Sequence, residues 1–186
     1  MNNQIKKDFK IKDLKNNKIY KLNKKRYILK RNILRSLNLK KKSFTQTQTA
    51  NTFEQVWKYI GPLENEKKLK KFNLRFLRQY FPNHHKIANS IKNGSKLLDV
   101  ACGNSRMINN FFGKKLSKLK LYGADITNNA VTQSYSFFKE KKIDGNFLQE
   151  DINDLPFKKN FFEVIFSPTS LMHTDSVEKS ILDLSK

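Results

Sequence analysis

Lys96-Leu97-Leu98-Asp99-Val100-Ala101-Cys102-Gly103-Asn104-Ser105-Arg106 decides the fold. After Lys96, the run to Ala101 is apolar except for Asp99, the pattern of a strand buried on both faces. Small residues fill 101–105, and Met107, Ile108, Phe111 and Phe112 then recur at helical spacing. A tight turn between strand and helix lets a ligand come close to the backbone, and the helix start offers unpaired N–H donors.

Downstream of this loop, strands and helices alternate. The pattern predicts a second strand over 119–126, a helix over 128–141 with Val131, Tyr135 and Phe138 inward, and a third strand over 145–149. A fourth strand is predicted over 162–167, and a last helix from about Asp175 presents Val177, Ile181 and Leu184. Such alternation gives an α/β, Rossmann-like parallel sheet with helices on both faces. Asp125 falls at the end of the second strand, twenty residues after Ser105, where an acid can accept from two ribose hydroxyls. After the third strand, Glu150-Asp151-Ile152-Asn153-Asp154-Leu155-Pro156-Phe157 offers a carboxylate for an adenine amine and Ile152 for the ring face. The fourth strand ends in Ser167-Pro168-Thr169-Ser170-Leu171-Met172-His173, a segment placed to close over the reactive end of such a ligand.

Together these motifs resemble the class I S-adenosylmethionine-dependent methyltransferases, in particular their broad small-molecule group. The likeness covers residues 87–186. By this resemblance Asp99, Ala101, Cys102, Gly103 and Ser105 belong to the loop that holds the methionine part of S-adenosylmethionine. Asp125 and Ile126 hold the ribose, Asp151 and Ile152 clamp the adenine, and Ser167 ends the fourth strand beside the cofactor. Two family glycines are replaced, by Ala101 and Ser105, and Glu163 stands for the usual aspartate of the fourth strand. A serine at 105 loses steric room if that position needs a positive φ, which bears on cofactor affinity. An NAD-binding loop of G-x-G-x-x-G type would need glycines where Ala101, Gly103 and Arg106 stand.

In this family the sulfonium cofactor is already a strong electrophile, and the protein mainly aligns the acceptor. His173 is the candidate general base should the acceptor have to lose a proton, or else a packing residue of its loop. His84 and His85 precede a predicted helix as exposed or capping residues, or line a substrate lid. Phe53 and Trp57 belong either to an N-terminal lid or to ordinary helix packing. The family fold has seven strands, so by resemblance its last strands are absent here, and the chain alone is expected to be unstable or inactive.

Upstream, three segments precede the loop. Residues 1–50 read as a basic extension and linker, 51–95 as a helical cap, and 96–186 as the incomplete cofactor-binding domain. Of the chain's 38 Lys and Arg, 16 lie in residues 1–42 against two acids, which gives that block +14 of the net +22. Tyr27, Leu29, Ile33, Leu34 and Leu37 recur there at near-helical spacing and predict a short amphipathic helix. Residues 43–51 read as a polar linker. Three helices follow. The first carries Phe53, Val56, Trp57 and Ile60, capped by Asn51 or Thr52 and ended by Gly61-Pro62. The second carries Leu69, Phe72, Phe76 and Tyr80. The third, capped by Asn83, carries Ile87 and Ile91 and closes at Asn93-Gly94.

The basic block admits a polyanionic partner, nucleic acid above all. An AT-rich coding composition accounts for the same lysines, since Asn and Ile are abundant and Arg is scarce. One cysteine, Cys102, excludes a disulfide framework and a Cys-based zinc site, and no metal site is expected. No signal-peptide core and no run long enough to span a bilayer is present, so a cytoplasmic setting is expected. The expected activity is methyl transfer to a small-molecule acceptor. The alternatives are an RNA or protein methyltransferase using residues 1–42, or a non-catalytic relic.

Overall fold

Seven strands make one sheet in the computed structural model, which describes residues 3–9, 11, 13–37, 39, 44–60 and 66–185. In chain order the elements are α1 (Asn3–Asp8), β1 (Ile19–Leu22), β2 (Lys25–Lys30), β3 (Ile33–Ser36), α2 (Phe44–Tyr59), α3 (Glu66–Tyr80) and α4 (His84–Ser90). They continue with β4 (Lys96–Val100), α5 (Arg106–Phe112), β5 (Lys120–Asp125), α6 (Asn128–Glu140), β6 (Gly145–Gln149), β7 (Val164–Phe166) and α7 (Val177–Leu184). The sheet order is β1-β2-β3-β6-β5-β4-β7. Strands β3, β6, β5, β4 and β7 are mutually parallel, and β1–β2 and β2–β3 are antiparallel hairpins. The chain leaves β4 outward through β5 and β6, then returns to the other side of β4 with β7. That reversal opens a crevice beyond the carboxyl ends of the strands.

The α/β reading of the sequence therefore stands, while the basic block departs from it. Residues 27–37 are strands, not a helix. Arg31 and Asn32 both take positive φ (51° and 63°), the signature of a tight hairpin turn, and this breaks any helix across them. In β2 the buried residues are Tyr27 and Leu29, a period of two. In β3 Ile33 and Leu34 are both buried because the strand is covered on both faces: Ile33 joins one core and Leu34 the other. Over so short a span, positions 27, 29, 33 and 34 satisfy both periods.

The predicted linker is the first half of a helix, since α2 starts at Phe44. Asn51 and Thr52 lie inside it, and the Thr52 hydroxyl donates to the Gln48 carbonyl (2.9 Å) instead of capping. The predicted stop at Gly61-Pro62 and the residue Ser43 lie outside the described residues. Asn83 precedes α4 but makes no side-chain cap. The cap of α7 is Ser176, whose hydroxyl accepts from the Lys179 N–H, and Val177 and Ile181 are exposed on it. Ile87 is likewise exposed, and Ala88 takes the core position of α4.

One face of the sheet carries a core with Leu97, Leu121, Val131, Phe138 and Phe147 at its centre, under α3, α4, α5 and α6. The other face buries Ile5, Tyr27, Leu98, Val100, Tyr122 and Leu148, with Phe9, Phe157, Phe161 and Phe162 against them. There α1 is fastened by Asp8, which accepts from the Tyr122 hydroxyl and pairs with Lys96.

Candidate functional site

Strand β4 runs straight into three left-handed residues. Ala101, Gly103 and Ser105 have φ of 48°, 52° and 55°. This alternation folds the turn back on itself: the Ser105 N–H donates to the Cys102 carbonyl (2.7 Å) and the Cys102 N–H to Ala124 on β5 (3.0 Å). Holding a side-chain-bearing residue in this region costs about 1 kcal/mol or more. Ser105 is held there by its hydroxyl, which lies 3.1 Å from Asp99 Oδ2 and 2.9 Å from Ser134 Oγ, all buried. Ser134 in turn donates to the Gly103 carbonyl (2.7 Å). The Ser105 hydroxyl is thus the shared node that ties the Asp99 carboxyl on β4 to Ser134 on α6. Burial pushes the Asp99 carboxyl well above its ordinary value; the Ser105 hydrogen bond opposes the rise and the nearby Asp125 charge adds to it.

Asp125 closes β5. Its Oδ1 accepts from the Thr127 N–H (2.8 Å) and hydroxyl (2.7 Å), and its Oδ2 accepts from the Gly103 N–H (3.0 Å). Loop and acid are thus one hydrogen-bonded unit. Burial raises the Asp125 carboxyl above its ordinary value, and the Thr127 and Gly103 donors oppose the rise. At the end of β6, Asp151 Oδ1 accepts from the Asn153 N–H (2.8 Å) and Oδ2 from Gln46 Nε2 (2.9 Å).

These groups share one cavity of about 580 Å³, a size within the ~300–1,000 Å³ usual for small-molecule sites. Asp99, Ala101, Cys102, Gly103, Asp125, Ile126, Asp151, Ile152 and His173 all line it. Ser105 and Ser167 do not. Ser105 sits under the loop as described, and Ser167 is bonded to the Ser170 hydroxyl (2.6 Å), which itself lines the cavity. The Cys102 thiol lies near Ser134 Oγ (3.5 Å), and burial pushes its pKa well up.

Helix α2 forms the opposite wall. Its cavity-facing residues Gln46, Thr49, Ala50, Phe53 and Trp57 recur at helical spacing. The Trp57 ring presses on the loop so closely that a Cβ on Gly103 would sit 2.6 Å from it. The helix is anchored to α6: Asn129 donates to the Glu54 carboxylate and carbonyl (both 3.2 Å), and Gln133 donates to the Trp57 carbonyl. Phe53 meets the exposed His173 edge-on at 4.9 Å between ring centroids. Gln46 escaped the sequence reading because a Gln/Thr-rich stretch looks like a linker; the spacing 46, 49, 50, 53, 57 was the available signal. Phe72, Phe76, Met107 and Phe166 add apolar lining, with Asn73 and Arg106 beside them.

The two other histidines lie away from the cavity. His84 is buried, not exposed, with Nδ1 2.9 Å from the Phe81 carbonyl and its ring against Phe111; His85 stacks on it. Among the described residues no cluster of three or more His, Cys, Asp or Glu could hold a metal ion, and no helix is long and apolar enough to cross a membrane.

A methyltransferase-domain family profile matches residues 91–186, just over half of the chain and the whole strand-and-loop frame of this cavity. The chain belongs to the class I S-adenosylmethionine-dependent methyltransferase family. Solved structures share the fold at low identity. A Methanococcus maripaludis protein assigned to the S-adenosyl-L-methionine-dependent methyltransferases is 15% identical, with a TM-score of 0.52, over 78% of this chain and 60% of its own. The [4+2]-cyclase SpnF is 16% identical, with a TM-score of 0.56, over 76% of this chain and 55% of its own. YcgJ of Bacillus subtilis is 24% identical, with a TM-score of 0.47, over 53% of this chain and 41% of its own. The chain therefore spans roughly two-fifths to three-fifths of these proteins. No curated protein is significantly similar to it.

Proposed function

We propose that this chain binds S-adenosylmethionine in the 580 Å³ cavity and serves methyl transfer to a small-molecule acceptor. One observation carries the reading: Gly103, Asp125 and Asp151, from the ends of three adjacent strands, face a single cavity, with the first two joined by a hydrogen bond. The residues fit the group. Asp125 keeps lone pairs beyond those used by Thr127 and Gly103 and can accept from ribose hydroxyls. Asp151 Oδ2 already accepts an N–H from cavity-lining Gln46, so it takes an amine donor from that side. Ile126 and Ile152 give apolar cover for a base. The folded-back loop 101–105 exposes backbone to the cavity.

Bound S-adenosylmethionine supplies a methyl group on a positively charged sulfur. The protein's own work is to hold donor and acceptor in line and to exclude water. The aromatic faces of Phe53 and Trp57 suit a cation and shield it. His173, at the mouth and steadied by Phe53, is positioned to take a proton from an acceptor that must lose one. The largely apolar lining favours a small organic acceptor.

A second reading, an RNA acceptor reached by the N-terminal block, draws on the exposed Lys21, Lys24, Lys30 and Arg31. Against it, that block spends its apolar residues inside the sheet. A cytoplasmic setting suits the single, buried Cys102. Isothermal titration tests the cofactor reading. S-adenosylhomocysteine should bind one to one and NAD⁺ should not. The reverse preference, or binding of neither, overturns it. RNA binding that weakens steeply with salt would shift the acceptor to the second reading.

A further inference from the structure

We propose that the N-terminal meander β1–β3 is a positioning element for the adenine end of the site, with Tyr27 and Lys25 acting through Glu150 on Asp151. The inference rests on the cofactor reading above. It starts from Glu150, whose side chain is 1% exposed yet lies at the junction of both nucleoside-facing acids. Its backbone N–H donates to the Asp125 carbonyl (3.0 Å). Its Oε1 accepts from the Asp151 N–H (2.9 Å), which fixes the backbone that carries the Asp151 carboxylate.

The other carboxylate oxygen is held from the meander. Glu150 Oε2 accepts from the Tyr27 hydroxyl (2.6 Å) and pairs with Lys25 Nζ (3.0 Å). Lys25 also pairs with Asp154 (2.6 Å), at the far end of the short 3-10 turn 152–154 that follows Asp151. Asn23, in the turn before β2, donates to the Pro156 carbonyl just beyond. The segment 150–156 is thus gripped at Glu150, Asp154 and Pro156 by residues 27, 25 and 23. Burial and the Glu150 carboxylate push the Tyr27 phenol above its ordinary value, so it stays a donor throughout the accessible pH range. A buried carboxylate with full partners is rigid; with one removed it re-seeks a donor and drags its neighbours. The basic block is accordingly part of the cofactor site's frame, and two of its polar side chains reach that site through one carboxylate.

The test compares S-adenosylhomocysteine with S-inosylhomocysteine, in which a carbonyl replaces the exocyclic amine that Asp151 would accept. The wild-type chain should prefer the adenosyl ligand by about tenfold or more, because a carboxylate facing a carbonyl is left unpaired. In Tyr27→Phe the preference should shrink to about threefold or less, through loss of adenosyl affinity with inosyl affinity kept. The Asp151 amide resonance of the ligand-free protein should shift, and that of Gly103, bonded to Asp125, should not. Lys25→Met, at a partly exposed site, gives the same readout should Tyr27→Phe fail to fold. An unchanged preference, or equal loss of both ligands, overturns the proposal and leaves the cofactor reading standing. A wild type that binds neither ligand overturns both.

Discussion

Ser105 offers a sharp test because two opposing effects meet on one residue. Its φ of 55° favours glycine, and its buried hydroxyl ties Asp99 to Ser134. Ser105→Ala keeps the backbone strain and removes the hydroxyl, leaving Asp99 and Ser134 short of a partner at 4% and 0% exposure. The loss should be about 1–3 kcal/mol. Ser105→Gly loses the same hydroxyl but relieves about 1 kcal/mol of left-handed strain. The order of stability should therefore be wild type, then glycine, then alanine, with the two variants about 1 kcal/mol apart. For a domain of this size that separation is about 2–4 °C in Tm by thermal melting. Alanine as stable as wild type would refute the hydroxyl chain. Glycine no better than alanine would refute the strain.

Four further outcomes follow from the same geometry. Ala101→Gly relieves strain with no hydroxyl lost and should stabilise by about 1 kcal/mol, measured by urea unfolding. Gly103→Ala must displace the chain's only tryptophan, so the Trp57 emission should move to the red as the ring leaves the loop. Burial raises the Asp99 pKa, so the folded state binds that proton more tightly than the unfolded chain. The resulting contribution is full below the ordinary aspartate value and is lost as pH rises toward the folded one. Asp99→Asn removes this dependence, and its Tm relative to wild type should climb as pH rises above the ordinary aspartate value. Asp125→Asn should weaken S-adenosylhomocysteine binding by about 10- to 100-fold, read by calorimetry.

The frame from Lys96 onward was legible because its central strands β4 and β5 are largely buried and each is followed by a distinctive turn. β6 spans 145–149 as read, β4 is one residue shorter at one end, β5 one residue shorter at each end, and β7 is only Val164–Phe166 where 162–167 is the predicted strand. The N-terminal block was not legible in the same way. Its hairpins turn on Asn23 and on Arg31-Asn32, and only asparagine hints at a left-handed turn there. Its strands are four to six residues long, too short to separate period two from period 3.6. The site shows the same division. Asp99, Asp125 and Asp151 announce themselves by standing at strand ends. Gln46 reaches Asp151, Glu54 reaches Asn129 and Ser134 reaches the loop across distances in sequence that no local pattern reports, and Glu150 reads only as another acid beside Asp151.

The most direct test of the central claim is a crystal structure of this chain with S-adenosylhomocysteine. The ribose hydroxyls should lie about 2.7–3.2 Å from Asp125, and the adenine amine at the same distance from Asp151, with Ile126 and Ile152 against the ring. A ligand bound outside this cavity, or one with its adenine far from Asp151, would contradict the account.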